Sequence, residues 1–219
     1  MTADETPARR SPRRAPKPEE RGKAGEQTRE RILEAAVEEF GAKGFAGART
    51  AAIAARAGVN QQLISYYFGG KQGLLDELRR RWASDSSHIP TDLPFGESVG
   101  RHLDAALDNP DWARLVVWQA LGDVRGGDDE IAAAQRTRMR QAVERIRGRQ
   151  AAGEISDALE PEFILLVAYA LTFAPVALPH FVAGVFGVDP LSAEYRGRVR
   201  EQISKMVNSA SADKGADNE

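Results

Sequence analysis

Residues 51–68 read AAIAARAGVNQQLISYYF, and their apolar positions decide how the surrounding chain folds. Ile53, Ala54 and Ala57 share one face of a short helix predicted over residues 50–57. Gly58 suits the left-handed residue that a tight turn between helices needs. Asn60 is a favourable N-cap for a second helix reaching about residue 67, and Gly69 and Gly70 break it. Ala54 and Ala57 are small enough for two backbones to approach closely. Val59 and Ile64 then close the shared core. Helix, glycine-containing turn, helix is the helix-turn-helix pattern. Taken alone it also fits a helical hairpin with a polar surface.

The outward face of the second helix is more informative. Gln61, Gln62, Ser65 and Tyr66 are polar or amphipathic, and none is acidic. Such a face can enter a DNA major groove, where glutamine pairs with adenine edges and serine with several bases. Carboxylates there would repel phosphates. Asn60 caps without adding charge, which leaves the positive end of the helix open to a phosphate.

Working outward, Ile32, Leu33, Ala36, Val37 and Phe40 recur at a 3.6 period and predict a helix over 28–43. Thr28 is its expected N-cap, and Gly41 and Gly44 its expected stop. Downstream, Leu74, Leu75 and Leu78 face inward on a helix starting near Lys71. Further helices are predicted over 95–107, 112–121, 129–150, 161–178 and 192–209, with no β alternation. The expected fold is all-α. Its parts are a disordered basic arm (1–25), a helix-turn-helix unit (26–84), a helical second unit (85–210) and a flexible tail (211–219).

Charge supports this division. The net charge of −2 looks wrong for a nucleic-acid binder. Residues 1–84 hold 16 Lys and Arg against 11 acids, a net +5, and the remainder is −7. A basic front and an acidic back suit a chain that meets phosphates with one end. The arm itself is basic through Arg9, Arg10, Arg13, Arg14, Lys17, Arg21 and Lys23. It could reach along a DNA groove or serve as a solvated tail.

The stretch GVNQQLISYYFGGKQGLLDEL (58–78) closely resembles the recognition-helix region of the tetracycline-repressor (TetR) family. The family's features stand here as Gly58-Val59, Tyr66-Tyr67-Phe68, Gly69-Gly70 and Lys71. ERILEAAVEEFGAKGF (30–45) resembles the family's first helix, and the likeness covers about residues 27–79. It implies that Gln61, Gln62 and Leu63 meet base edges and flanking phosphates. It implies that Tyr66, Tyr67 and Lys71 meet phosphates. There are two departures. The family's frequent Thr or Ser before the second helix is replaced by Arg49, with Thr50 next, and either of these could bind phosphate. Leu63 stands where a small residue or Thr is frequent, and it either reads a thymine methyl or only packs.

The resemblance also implies that the second unit binds a ligand and dimerises. Trp118, Gln119, Tyr169, Phe173 and His180 are the candidate ligand contacts. Phe163, Leu166, Val199, Ile203 and Met206 are the candidate dimer contacts, on the two last predicted helices. The alternative for both sets is packing within the protomer. The expected function is a cytoplasmic, homodimeric repressor of a palindromic DNA operator. A small, largely apolar effector would lower its affinity.

An enzyme is the competing class. The chain has no cysteine, which excludes thiolate chemistry and disulfides. His88, His102 and His180 show no metal-ligand spacing. No nucleophile elbow or phosphate-cradling loop occurs, so neither a cofactor nor a metal is expected. The N-terminus lacks an apolar segment of the secretory kind, and the apolar run 163–177 is too short and interrupted to span a bilayer, so no membrane partner is expected.

Overall fold

A computed structural model describes residues 18–85, 90–122 and 129–212. Among these residues there are ten helices and no strand, as expected for an all-α chain. They are α1 (Pro18–Gly47), α2 (Thr50–Ala57), α3 (Gln62–Phe68), α4 (Lys71–Asp85), α5 (Phe95–Asp108), α6 (Pro110–Ala120), α7 (Asp129–Ala151), α8 (Pro161–Ala177), α9 (Pro179–Phe186) and α10 (Ala193–Ala212).

Three expectations need correction. The first helix starts ten residues before Thr28. Pro18 is its first residue, a position where proline's missing N–H costs nothing. Thr28 is therefore interior, and its hydroxyl donates back to the Ala24 carbonyl at 2.8 Å. Second, Gly41 stays helical, and the break falls at Gly44 (φ 66°). Third, the helix expected over 161–178 ends at Ala177, and the chain does not run on as loop from there. It bends by 98° into α9, which sequence reading missed. Pro179 opens α9 as its first residue. Residues 18–25 of the arm expected to be disordered are helical, as are residues 211 and 212 of the expected tail, and the rest of both (1–17 and 213–219) lies outside the described residues.

The front core is closed by Ile32, Leu33, Ala36 and Phe40 of α1, Ile53 and Ala54 of α2, Ile64 and Phe68 of α3, and Leu74, Leu75 and Leu78 of α4. Leu115 of α6 joins it and is 1% exposed. Burying each such side chain is worth about 1.5–3 kcal/mol, so α6 is held firmly to the front unit. A second core packs Val99, Leu103 and Leu107 of α5 against Tyr195, Val199 and Ile203 of α10. Val199 and Ile203 are thus taken up within the protomer and are not free for a partner. Periodicity had marked a buried stripe without saying what would cover it. Ala106, Ala113 and Val176 link α5, α6 and α8 in a smaller third cluster. Helix α6 therefore touches both halves. Gly41 lets it approach α1 closely, since a Cβ there would stand 2.6 Å from the Asp111 carbonyl oxygen. Trp82 stacks on Trp112 at 5.8 Å between ring centroids, and Arg79 Nε donates to Gln119 Oε1 at 3.0 Å.

Candidate nucleic-acid interface

The α2–α3 turn is built from local chemistry. Gly58 ends α2 in the left-handed conformation (φ 64°, ψ 38°). The Val59 amide reaches back to the Ala54 carbonyl at 3.0 Å and the Gly58 amide to Ala55 at 3.2 Å. This pair of bonds is a Schellman stop. Asn60 Oδ1 then accepts from the Gln62 amide at 2.9 Å, so Asn60 caps α3 as its residue type predicts. Ile64 and Phe68 are buried beneath α3 and fix its rotation. Gln61, Gln62, Ser65 and Tyr66 are consequently exposed, Tyr66 to 79%.

The nine candidate DNA contacts occupy α2's start, α3 and α4's start. Gln61 Nε2 donates to Thr50 Oγ1 at 2.9 Å, tying α3 to the first residue of α2. Tyr67 is half-buried against the front core, with its ring edge-on to Tyr66 at 5.0 Å. Leu63 is also half-buried on that core. Lys71 opens α4, where Nζ donates to the Ala46 carbonyl at 3.4 Å and lies 4.6 Å from the centre of the Phe45 ring. The following turn needs Gly73, whose position lies against the Phe68 carbonyl and admits no side chain without a shift.

Arg49 is exposed and extended, and no side chain of its own caps α2. Glu39 of α1, 1% exposed, accepts from the Arg49 amide at 3.4 Å and from Lys43 Nζ at 2.8 Å. Its other carboxylate oxygen lies 3.9 Å from Arg56. Burial pushes the Glu39 carboxyl up, but Lys43, the Arg49 amide and Arg56 outweigh it and hold the group below the usual glutamate range. No side chain accepts from the first-turn amides of α2 as a Thr or Ser cap would, and a buried carboxylate of α1 holds the Arg49 amide instead. Sequence reading missed this because Glu39 is ten residues away and looks like one more charge on an acidic helix face.

The ligand candidates are not brought together. Trp118 Nε1 donates to the Gly41 carbonyl at 3.1 Å, and Gln119 accepts from Arg79, so both serve the joint between the units. Tyr169 and Phe173 pair on α8 at 5.2 Å, and His180 is exposed on α9. An apolar cavity of about 170 Å³ lies elsewhere, among α5, α8, α10 and the α7–α8 connection. Phe95, Val99, Ile155, Leu171 and Ile203 line it, with Ser156 alone adding a hydroxyl. None of the five candidates does. Phe163 and Met206, expected at a dimer contact, stand at this cavity and are 50% and 58% exposed. Leu166 is 65% exposed beside them on α8. Of the histidines, His102 and His180 are exposed and far apart in sequence, and His88 lies outside the described residues.

Comparison with known proteins agrees with this geometry. Residues 32–78 match the family described as bacterial regulatory proteins, tetR family. Residues 94–208, more than half of the chain, match the tetracyclin repressor-like C-terminal domain. The HTH-type transcriptional repressor SCO4008 of Streptomyces coelicolor is 33% identical over 158 residues, covering 70% of this chain and 81% of that protein. The HTH-type transcriptional repressor NicS of Pseudomonas putida is 43% identical over 91 residues, 40% of this chain and 43% of that protein. A crystal structure of SCO4942 from Streptomyces coelicolor, described as a transcriptional regulator, superimposes with a TM-score of 0.65 at 27% identity. The match covers 82% of this chain and 97% of that one.

Proposed function

The chain belongs to the tetR family of bacterial regulatory proteins, and from that premise we propose that it is a homodimeric repressor of a palindromic operator, released from DNA by a small, largely apolar effector. The observation that carries this reading is the exposed face of α3. It is free of carboxylates, rotated outward by Ile64 and Phe68, and held by a capped turn. Two copies related by a two-fold axis would place two such helices in successive major grooves. The repressor sense is supported by the relatives SCO4008 and NicS, both HTH-type transcriptional repressors. Gln61, Gln62, Leu63 and Ser65 would meet bases. Arg49, Thr50, Tyr66, Tyr67 and Lys71 would meet phosphates.

The effector would act through α6, which shares the front core through Leu115 and packs on α8 through Ala113. A ligand that prefers one arrangement of the back unit by a few kcal/mol suffices to shift the spacing of the two α3 helices. The 170 Å³ cavity is of a size that holds a small apolar molecule. No catalytic step belongs to this reading. Among the described residues no single helix is long and apolar enough to cross a membrane, and the proposed site of action is cytoplasmic DNA.

Selection from random duplexes tests the proposal. The expected result is enrichment of an inverted repeat, bound by a dimer with affinity falling steeply with salt. Failure to enrich any sequence would overturn it.

A further inference from the structure

Two of the residues expected on DNA already hold each other. Gln61 donates from Nε2 to the Thr50 hydroxyl oxygen at 2.9 Å, joining the start of α3 to the start of α2. A recognition helix meets base edges with its N-terminal residues, and Gln61 stands there. Its backbone is set by the Asn60 cap and by Ile64, buried three residues on. Only its side chain is left to turn. Thr50 is the first residue of α2, a helix that no side chain caps. The first amides and positive end of α2 therefore stay open beside the Thr50 hydroxyl. Such a helix start draws a phosphate.

The hydroxyl then decides which way the Gln61 amide faces. A hydroxyl has one hydrogen to donate and lone pairs to accept with. While that hydrogen is free, Thr50 can hold either end of the amide. Once a phosphate takes the hydrogen, Thr50 has only its oxygen to offer, and only the NH2 end of Gln61 can bond it. The amide is left with its carbonyl oxygen and one N–H for the groove. Adenine presents the matching pair there, an N6 donor and an N7 acceptor, whereas guanine presents two acceptors, O6 and N7. Among the described residues no side chain holds the neighbouring Gln62 amide in this way, so that amide is free to turn over.

We propose that Thr50 is a positioning residue for base reading: held by a phosphate, it locks the Gln61 amide in the orientation that selects adenine over guanine. A phosphate contact and a base contact thereby act as one unit. The inference rests on the duplex-binding reading above.

The test is selection from random duplexes with the parent, Gln61→Ala, Thr50→Val and Thr50→Ser, each checked by circular dichroism. In the parent, adenine is expected at one position of each half-site, and Gln61→Ala identifies that position by losing the preference. Thr50→Val keeps the side-chain shape and removes the hydroxyl. It is expected to weaken all duplexes through the lost phosphate contact. It is also expected to cut the preference for adenine over guanine at that one position about tenfold, with the position read by Gln62 unchanged. Thr50→Ser keeps the hydroxyl and should keep the preference. In a Gln61→Ala background, Thr50→Val should change no base preference further. Thr50→Ala repeats the test if valine disturbs the helix start. A Thr50→Val chain that weakens all duplexes alike, with its adenine preference intact, would overturn the proposal and leave Thr50 a phosphate contact only. So would a parent with no adenine position that depends on Gln61. If the parent enriches no duplex at all, the functional reading fails and this proposal with it.

Discussion

The indole N–H of Trp118 donates to the carbonyl oxygen of Gly41 at 3.1 Å, joining α6 to α1 where the two helices come closest. Trp118→Phe keeps an aromatic ring and removes the donor. The expected cost is about 0.5–1.5 kcal/mol, read from urea unfolding. Gly41→Ala places a methyl 2.6 Å from the Asp111 carbonyl, a backbone atom that cannot rotate aside. Alanine's helix propensity favours this change by about 1 kcal/mol. The clash is expected to outweigh that, for a net loss of about 1–3 kcal/mol. A stabilised Gly41→Ala protein would show that the α1–α6 joint yields easily.

Glu39 makes stability depend on pH in a definite direction. Its folded carboxyl titrates below the ordinary 4.5, so folding favours the ionised form. The contribution is complete above about pH 4.5 and drains away as pH falls through the folded value. Glu39→Gln should destabilise the protein at pH 7 by about 1.5–3 kcal/mol, since it weakens charge-assisted bonds from Lys43 and the Arg49 amide. The difference from the parent should shrink when unfolding is repeated near pH 3.5. A difference that stays constant would mean the carboxylate charge is not what matters.

How much could be read from sequence depends on how local the deciding chemistry is. Gly58 and Asn60 were legible because a Schellman stop and an N-cap are made by neighbours. Thr28 misled because the residues before it, 18–27, carry no apolar periodicity to mark them as helix. Val199 and Ile203 show the limit of periodicity, which reports that a stripe is buried but not by what. Trp118 looked like a cavity wall by residue type, yet its N–H is engaged across the joint between the units. The apolar cavity draws on α5, α8, α10 and a connection, so no local pattern announces it.

Lys71 and Gln62 should separate affinity from specificity. Lys71→Ala is expected to weaken binding to all duplexes about equally and to reduce the salt slope by about 0.9. Gln62 is exposed on α3, and Gln62→Ala should change which bases are preferred, by about 1–3 kcal/mol at one position of each half-site. Selection repeated with each variant, alongside salt titrations, checks both. An unchanged preference for Gln62→Ala would remove that residue from base reading.

The dimer contact is where packing and association must be told apart. Leu166 is 65% exposed on α8, next to Phe163 at 50%, and nothing within the protomer uses these faces fully. Ile203 is 5% exposed and belongs to the protomer's own core. Leu166→Glu should therefore leave urea unfolding of the dilute protomer within about 0.5 kcal/mol of the parent. It should also shift sedimentation from dimer to monomer and weaken operator binding, because one copy can hold only one half-site. Ile203→Ala should do the reverse, costing about 2–5 kcal/mol of folding stability by opening a cavity. Its folded fraction should still sediment as a dimer. If Leu166→Glu remains dimeric at micromolar concentration, the exposed face of α8 is not the contact, and the apolar side chains of α9 become the next surface to test.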